Sequence, residues 1–142
     1  MIYPHITIYT DRLPANVAGR ANGPLIRIKP AYKNDAGIHA HELVHVAQFW
    51  RFGFVGFGVA ALLMFVPQFG EFAWAAPIAA AAGFGLHSIL YMASKRYRLW
   101  SEVSAYKEQL KHYTDDRRQL FAWFIYAHYG LDVTQDEAFK LL

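Results

Sequence analysis

The chain contains no cysteine. Disulfides and thiolate metal sites are therefore excluded, and any metal ion must be held by His, Asp or Glu. The lack of thiols also fits a reducing compartment. Charge is scarce too: 18% of the 142 residues are Asp, Glu, Lys or Arg, against 55% hydrophobic and 17% aromatic. Disordered chains have the opposite balance, so this one must bury a core. The formal net charge of +3 is too small an excess to point to nucleic acid. Met1-Ile2-Tyr3-Pro4-His5 lacks a basic segment leading into an apolar run, and no cleavable signal peptide is expected. There is no internal repeat, and only the Ala/Gly-rich stretch 73–85 is compositionally simple. The length suits one domain over 1–142.

Residues 5–10 alternate and are rich in β-branched side chains, which predicts a short strand. Asp11 to Pro24 holds Pro14, Asn16, Gly19, Asn22 and Gly23 and reads as turn and loop. Residues 25–29 alternate again, and Pro30 after them suggests an edge strand. Asn34 or Asp35 can cap a helix that starts at Ala36 and runs to about Phe52, with Leu43, Val46, Ala47 and Trp50 as an apolar stripe. Further helices are expected at about 94–113, at 115–129 with Gly130 as its stop, and at 135–141 behind a Thr134/Glu137 capping box.

The chemistry lies in His41-Glu42-Leu43-Val44-His45. Four residues apart on a helix, His41 and His45 share one face, the spacing for two ligands of a tetrahedral Zn²⁺. Glu42, beside the first ligand, is the candidate base for a metal-bound water. A third ligand is needed, and the H-x-x-G-x-x-H extension is absent, since Gln48 and Arg51 stand at those positions. Glu102 is the candidate: it lies on a predicted helix, and Ser101 and Ala105 beside it are small enough for close helix packing. Glu108 and then His128 stand behind it. His5, His39 and His87 read as incidental.

With those residues in place the sequence resembles the gluzincins, which carry HExxH on one helix and a ligand Glu on another. More closely, it resembles minimal gluzincins, including small phage- and bacterium-encoded peptidases, through His41, Glu42, His45, Val46 and Gln48, then Glu102, Ala105 and Tyr106. The resemblance covers about 25–52 and 95–113. It implies a zincin-like fold and zinc-dependent hydrolysis of peptide bonds in a peptide or protein substrate. It also implies a strand ahead of the active-site helix that pairs with extended substrate, a role for which residues 25–29 are placed. Many gluzincins have an Asp four residues after the ligand Glu to orient a ligand histidine; here that residue is Tyr106. Tyr106 either packs or donates its hydroxyl to the oxyanion, with His112, Tyr126, His128 and Tyr129 as weaker candidates for that donor.

The stretch between His45 and Glu102 exceeds that of compact gluzincins by roughly a two-helix insertion. It holds two uncharged runs, 52–70 and 72–94, separated by Glu71. The fold class expected is thus mainly α with a small β-element, carrying an apolar two-helix insertion at 53–93 closed by a tight turn. Both runs reach membrane-spanning length. Gly56 with Ala60, and Ala75 with Ala79 and Gly83, give small-residue faces for helix contact, and Trp74 and Tyr91 are candidate interfacial anchors. Arg51 before the hairpin and Lys95, Arg96 and Arg98 after it would keep both flanks, and the zinc site, on the cytoplasmic side. The competing readings are a hairpin buried in a cytoplasmic protein or oligomer, and a zinc-stabilised membrane or assembly protein that cleaves nothing. Nothing in the sequence sets oligomeric state or cleavage specificity.

Overall fold

The period-two pattern at 5–10 and 25–29 forms strands β1 (Ile6–Tyr9) and β3 (Leu25–Ile28). A further strand, β2 (Gly19–Asn22), lies inside the stretch expected to be all loop. Its sequence, Gly-Arg-Ala-Asn, has no apolar alternation; it is held by pairing with β3 across a turn in which Gly23 takes φ 59°. The computed structural model, which describes residues 3–142, is mainly helical with one small mixed sheet in the order β1-β3-β2. β1 runs parallel and β2 antiparallel to β3. This corrects the edge assignment for 25–29. β3 is the central strand, paired on both sides, and Pro30 lies past the ladder at the start of a 3-10 turn, where its missing N–H breaks no pairing.

Asp35 caps α1 (Ala36–Phe65) by accepting a hydrogen bond from the Ile38 N–H at 3.0 Å. This helix does not stop near Phe52. No proline interrupts it until Pro67, whose ring forces the preceding Val66 into an extended conformation. The first arm of the hairpin is therefore the motif helix itself, prolonged. The connection is not a tight turn either: Pro67–Ala75 form a 3-10 segment containing Glu71. Helix α2 (Ala76–Ala93) then returns along α1. The two backbones come close at Gly56 and Gly83, where a Cβ on Gly56 would lie 2.7 Å from the Gly83 Cα. Backbone meets backbone there, so neither position has room for a side chain.

Ser94 ends α2 and caps α3 (Lys95–Leu110), its Oγ accepting from the Tyr97 N–H at 3.2 Å. The reversal lays α3 against α1. Helices α4 (Arg118–His128) and α5 (Gln135–Leu141) follow, with Gly130 at φ 59° after α4 and the Thr134/Glu137 capping box formed. One core joins Ile26 and Ile28 of β3 to Ile38 and Val46 of α1. A second joins Tyr106 of α3 to Phe121, Ala122 and Ile125 of α4 and Ala138 of α5. The α1–α3 seam runs between these cores.

α1 and the segment Pro67–Ala93 are each long and apolar enough to cross a membrane. Their outer faces expose Phe54, Val55, Phe57, Leu62, Phe65, Phe72, Trp74 and Ile78.

Candidate metal centre

One helical turn of α1 brings His41 and His45 together, with their Nε2 atoms 3.3 Å apart. Glu102 enters from α3. Its two carboxylate oxygens lie 3.5 Å from His41 Nε2 and 3.6 Å from His45 Nε2. Ligand atoms about 2.0–2.1 Å from a tetrahedral zinc stand about 3.3–3.4 Å from one another, so these separations suit one shared ion. Among the described residues this is the one group of three candidate ligand side chains gathered so closely. Glu102 is 1% exposed, and its Oε2 has no hydrogen-bond partner. A buried carboxylate with an idle oxygen aimed at two imidazoles is a site a metal ion would complete. The seam is tight enough for this because Ser101 and Ala105, on either side of Glu102, are both fully buried.

The ligands are oriented by their neighbours. His45 Nδ1 donates to Gln48 Oε1 at 3.1 Å, which leaves Nε2 with its lone pair toward the cluster. Ser101 Oγ donates to the same Gln48 oxygen at 2.7 Å and lies 3.2 Å from His45 Nδ1. The Tyr91 hydroxyl, reaching over from α2, donates to Glu102 Oε1. Tyr91 is thus a site residue as well as a hairpin residue. His87 also approaches, its ring 6.4 Å from that of His45 and its Nδ1 hydrogen-bonded to the Tyr97 hydroxyl at 2.7 Å. Sequence reasoning missed both, since each reaches the site only through the reversal at Ser94.

Tyr106 packs its ring edge-on against His41, with centroids 4.5 Å apart, and its hydroxyl pairs with that of Tyr129 at 3.0 Å. The other candidates lie outside the cluster, His128 at the wall of the larger cleft. Glu108 is paired with Lys111 at the surface, Tyr126 and His112 are exposed, and His128 packs against Trp123 and Phe124. His5 and His39 bond to backbone carbonyls.

Glu42 is 5% exposed and stands next to the cluster without joining it. It points under β2, where a Cβ on Gly19 would fall 2.8 Å from its Oε1. Glycine at 19 lets an edge strand pass directly over this carboxylate. Two clefts, of about 620 and 370 Å³, meet at His41 and Glu42, and both are walled by β2, Tyr91 and Tyr129.

Burial pushes the Glu42 carboxyl up to about 7, against the opposing pull of His41. Burial acts the same way on Glu102, but the His41 and His45 imidazoles facing it, with the hydrogen bond from the Tyr91 hydroxyl, outweigh it and hold that carboxyl at about 2. Burial disfavours the His41 cation, yet Glu102 beside it raises its pKa above the usual value. Burial brings His45 down to about 4. His45 is therefore neutral near pH 7, the form in which imidazole ligates, and it faces an ionised Glu102 carboxylate. The arrangement offers two nitrogen ligands, one oxygen ligand, and a separate carboxylate beside them in an open cleft. Comparison of the chain with protein-family models, curated proteins and solved structures finds no match.

Proposed function

We propose that this chain is a gluzincin-type zinc metallopeptidase that hydrolyses peptide bonds at a membrane surface. His41, His45 and Glu102 hold the ion. Two imidazoles and a carboxylate are the three-ligand set of catalytic zinc sites, which keep a position open. A zinc ion held there would act as a Lewis acid and would lower the pKa of a water bound to it.

Glu42 is the general base. Its carboxylate takes a proton from the attacking water as the water oxygen bonds to the scissile carbonyl carbon. It passes that proton to the amine nitrogen as the C–N bond breaks. The hydroxyl pair Tyr106–Tyr129 supplies the donor to the carbonyl oxygen as it gains negative charge. β2, rather than β3, is the strand to which extended substrate adds, because its outer edge carries no partner strand and it passes over Glu42. The apolar hairpin within 53–93 inserts into lipid by its outer part, while its base at His87 and Tyr91 stays with the site. Arg51 and Arg96, both exposed at the base of the hairpin, keep the site on the cytoplasmic side.

The observation that carries this reading is the position of Glu42, a buried carboxylate beside the cluster and outside it. A purely structural metal site has no use for such a group. The test is Glu42→Gln, assayed on an unfolded protein substrate. Zinc is retained at about one equivalent per chain, and hydrolysis falls by about 10²–10⁴-fold. Activity that survives the change would refute the mechanism.

A further inference from the structure

The metal cluster and the apolar hairpin are built on shared helices. α1 carries His41 and His45 near its start and runs unbroken into the apolar arm that ends at Phe65. The returning arm is tied to the site twice. The Tyr91 hydroxyl bonds Glu102, and the Arg98 guanidinium donates to the carbonyls of Tyr91, Met92 and Tyr129 at 2.8, 2.9 and 2.9 Å. α1 has no break between the ligands and the first arm, and Ser94 alone separates α2 from α3.

The height of the site above the apolar zone follows from helix geometry. Arg51 is the last charge on α1, and the uncharged run begins at Phe52. Phe52 lies seven positions after His45, a rise of about 10 Å along α1, while on α2 the uncharged run reaches Tyr91 and Met92 beside the cluster, so the site lies within about 10 Å of the apolar zone. The smaller cleft has Ser88, Tyr91 and Met92 of α2 as one wall, so it opens against the hairpin rather than on the opposite side of the protein. Met92 is 70% exposed there, and Trp100 on α3 is 49% exposed. With its outer faces uncharged and lined by Phe54, Val55, Phe57, Leu62, Phe65 and Ile78, the hairpin suits hydrocarbon.

We propose that the site works at a fixed height and selects polypeptide segments within about 10–15 Å of the bilayer surface, that is, the juxtamembrane segments of membrane-anchored proteins. This rests on the metallopeptidase and hairpin readings above. A fully extended chain covers about 3.3–3.6 Å per residue, so a scissile bond three to five residues beyond the anchor lies within reach. Bonds far from the bilayer do not.

The test uses the full chain in phosphatidylcholine vesicles containing phosphatidylglycerol. The substrates share one transmembrane anchor and one unstructured cleavable segment, separated by a helical spacer of increasing length. Anchoring alone raises the encounter rate of every substrate in the series, so the readout is the dependence on spacer length. Cleavage is expected to be fastest without a spacer and to fall at least about tenfold once a twenty-residue helix lifts the segment by about 30 Å. The Glu42→Gln chain serves as the blank. Cleavage that is equal at all spacer lengths would overturn the height rule while leaving the peptidase reading intact. Zinc-loaded protein that cleaves no member of the series, nor a free unfolded substrate, would overturn the peptidase reading and this one with it.

Discussion

Gln48→Met separates the work of the metal centre from the work of the core. Gln48 is 2% exposed, and its Oε1 accepts both from His45 Nδ1 and from Ser101 Oγ. Its Nε2 is buried with no partner among the described residues. Methionine keeps the volume and removes all three polar relations. Two hydrogen bonds of about 1 kcal/mol each are lost, and an unsatisfied donor that costs about 1–3 kcal/mol is relieved, so metal-free stability changes by no more than about 1 kcal/mol. Zinc binding does change, because the imidazole loses the acceptor that fixes its tautomer and ring orientation. Loss of such a partner typically lowers metal affinity about 10–100-fold, or about 1.4–2.8 kcal/mol. Ser101 Oγ, 3.2 Å from His45 Nδ1, can accept in place of Gln48. The single variant therefore belongs at the low end of that range and Gln48→Met with Ser101→Ala at the high end. Gln48→Glu should restore affinity, since a carboxylate is a stronger acceptor for the same N–H. The assay is zinc competition against a chromophoric chelator, paired with thermal unfolding of the metal-free protein. Unchanged zinc affinity with a lowered melting temperature would refute the argument and make Gln48 a core residue only.

The ligand set predicts that Glu102→Ala abolishes zinc binding, whereas Glu108→Ala and His128→Ala retain it; metal analysis of the purified variants decides. Tyr91→Phe removes the hydroxyl that bonds Glu102 and should weaken zinc about tenfold by the same competition assay, with the chain still folded. Stripping the metal should lower the melting temperature, since an ion present at a thousand times its dissociation constant stabilises by about 4.1 kcal/mol, and adding zinc back should restore it. In the hairpin, Gly83→Leu should destabilise by about 1–3 kcal/mol or more in detergent unfolding, because the added side chain meets the backbone of α1. Gly58→Ala should be neutral or stabilise by about 0.5–1 kcal/mol, since nothing lies within reach of its Cβ.

The parts of this protein that were readable in its sequence are those set by local rules. The spacing of His41 and His45 converts to a shared helix face without any tertiary information. The Asp35 cap, the Gly130 stop and the Thr134/Glu137 box each follow from the chemistry of three or four neighbouring residues. Glu102 was legible because small residues on either side marked a helix face meant for close contact. What stayed hidden depended on pairing at a distance. β2 has no apolar pattern and exists because β3 offers it a ladder; the Asn22-Gly23 step was its one local signal. Residues 25–29 looked like an edge because a following proline says nothing about what lies on either side. Tyr91 had the position of a membrane anchor, and only the reversal at Ser94 turns it onto Glu102. α1 read as two helices because its chemistry changes at Phe52, although its backbone does not.

The central claim is that His41, His45 and Glu102 hold a catalytic zinc ion, and metal content tests it most directly. The full chain, purified in detergent without added metal and without chelator, should be compared with His41→Ala and Glu102→Ala chains prepared alongside. The parent should carry about one zinc per chain and either variant almost none. A parent without zinc, or variants that keep as much zinc as the parent, would contradict it.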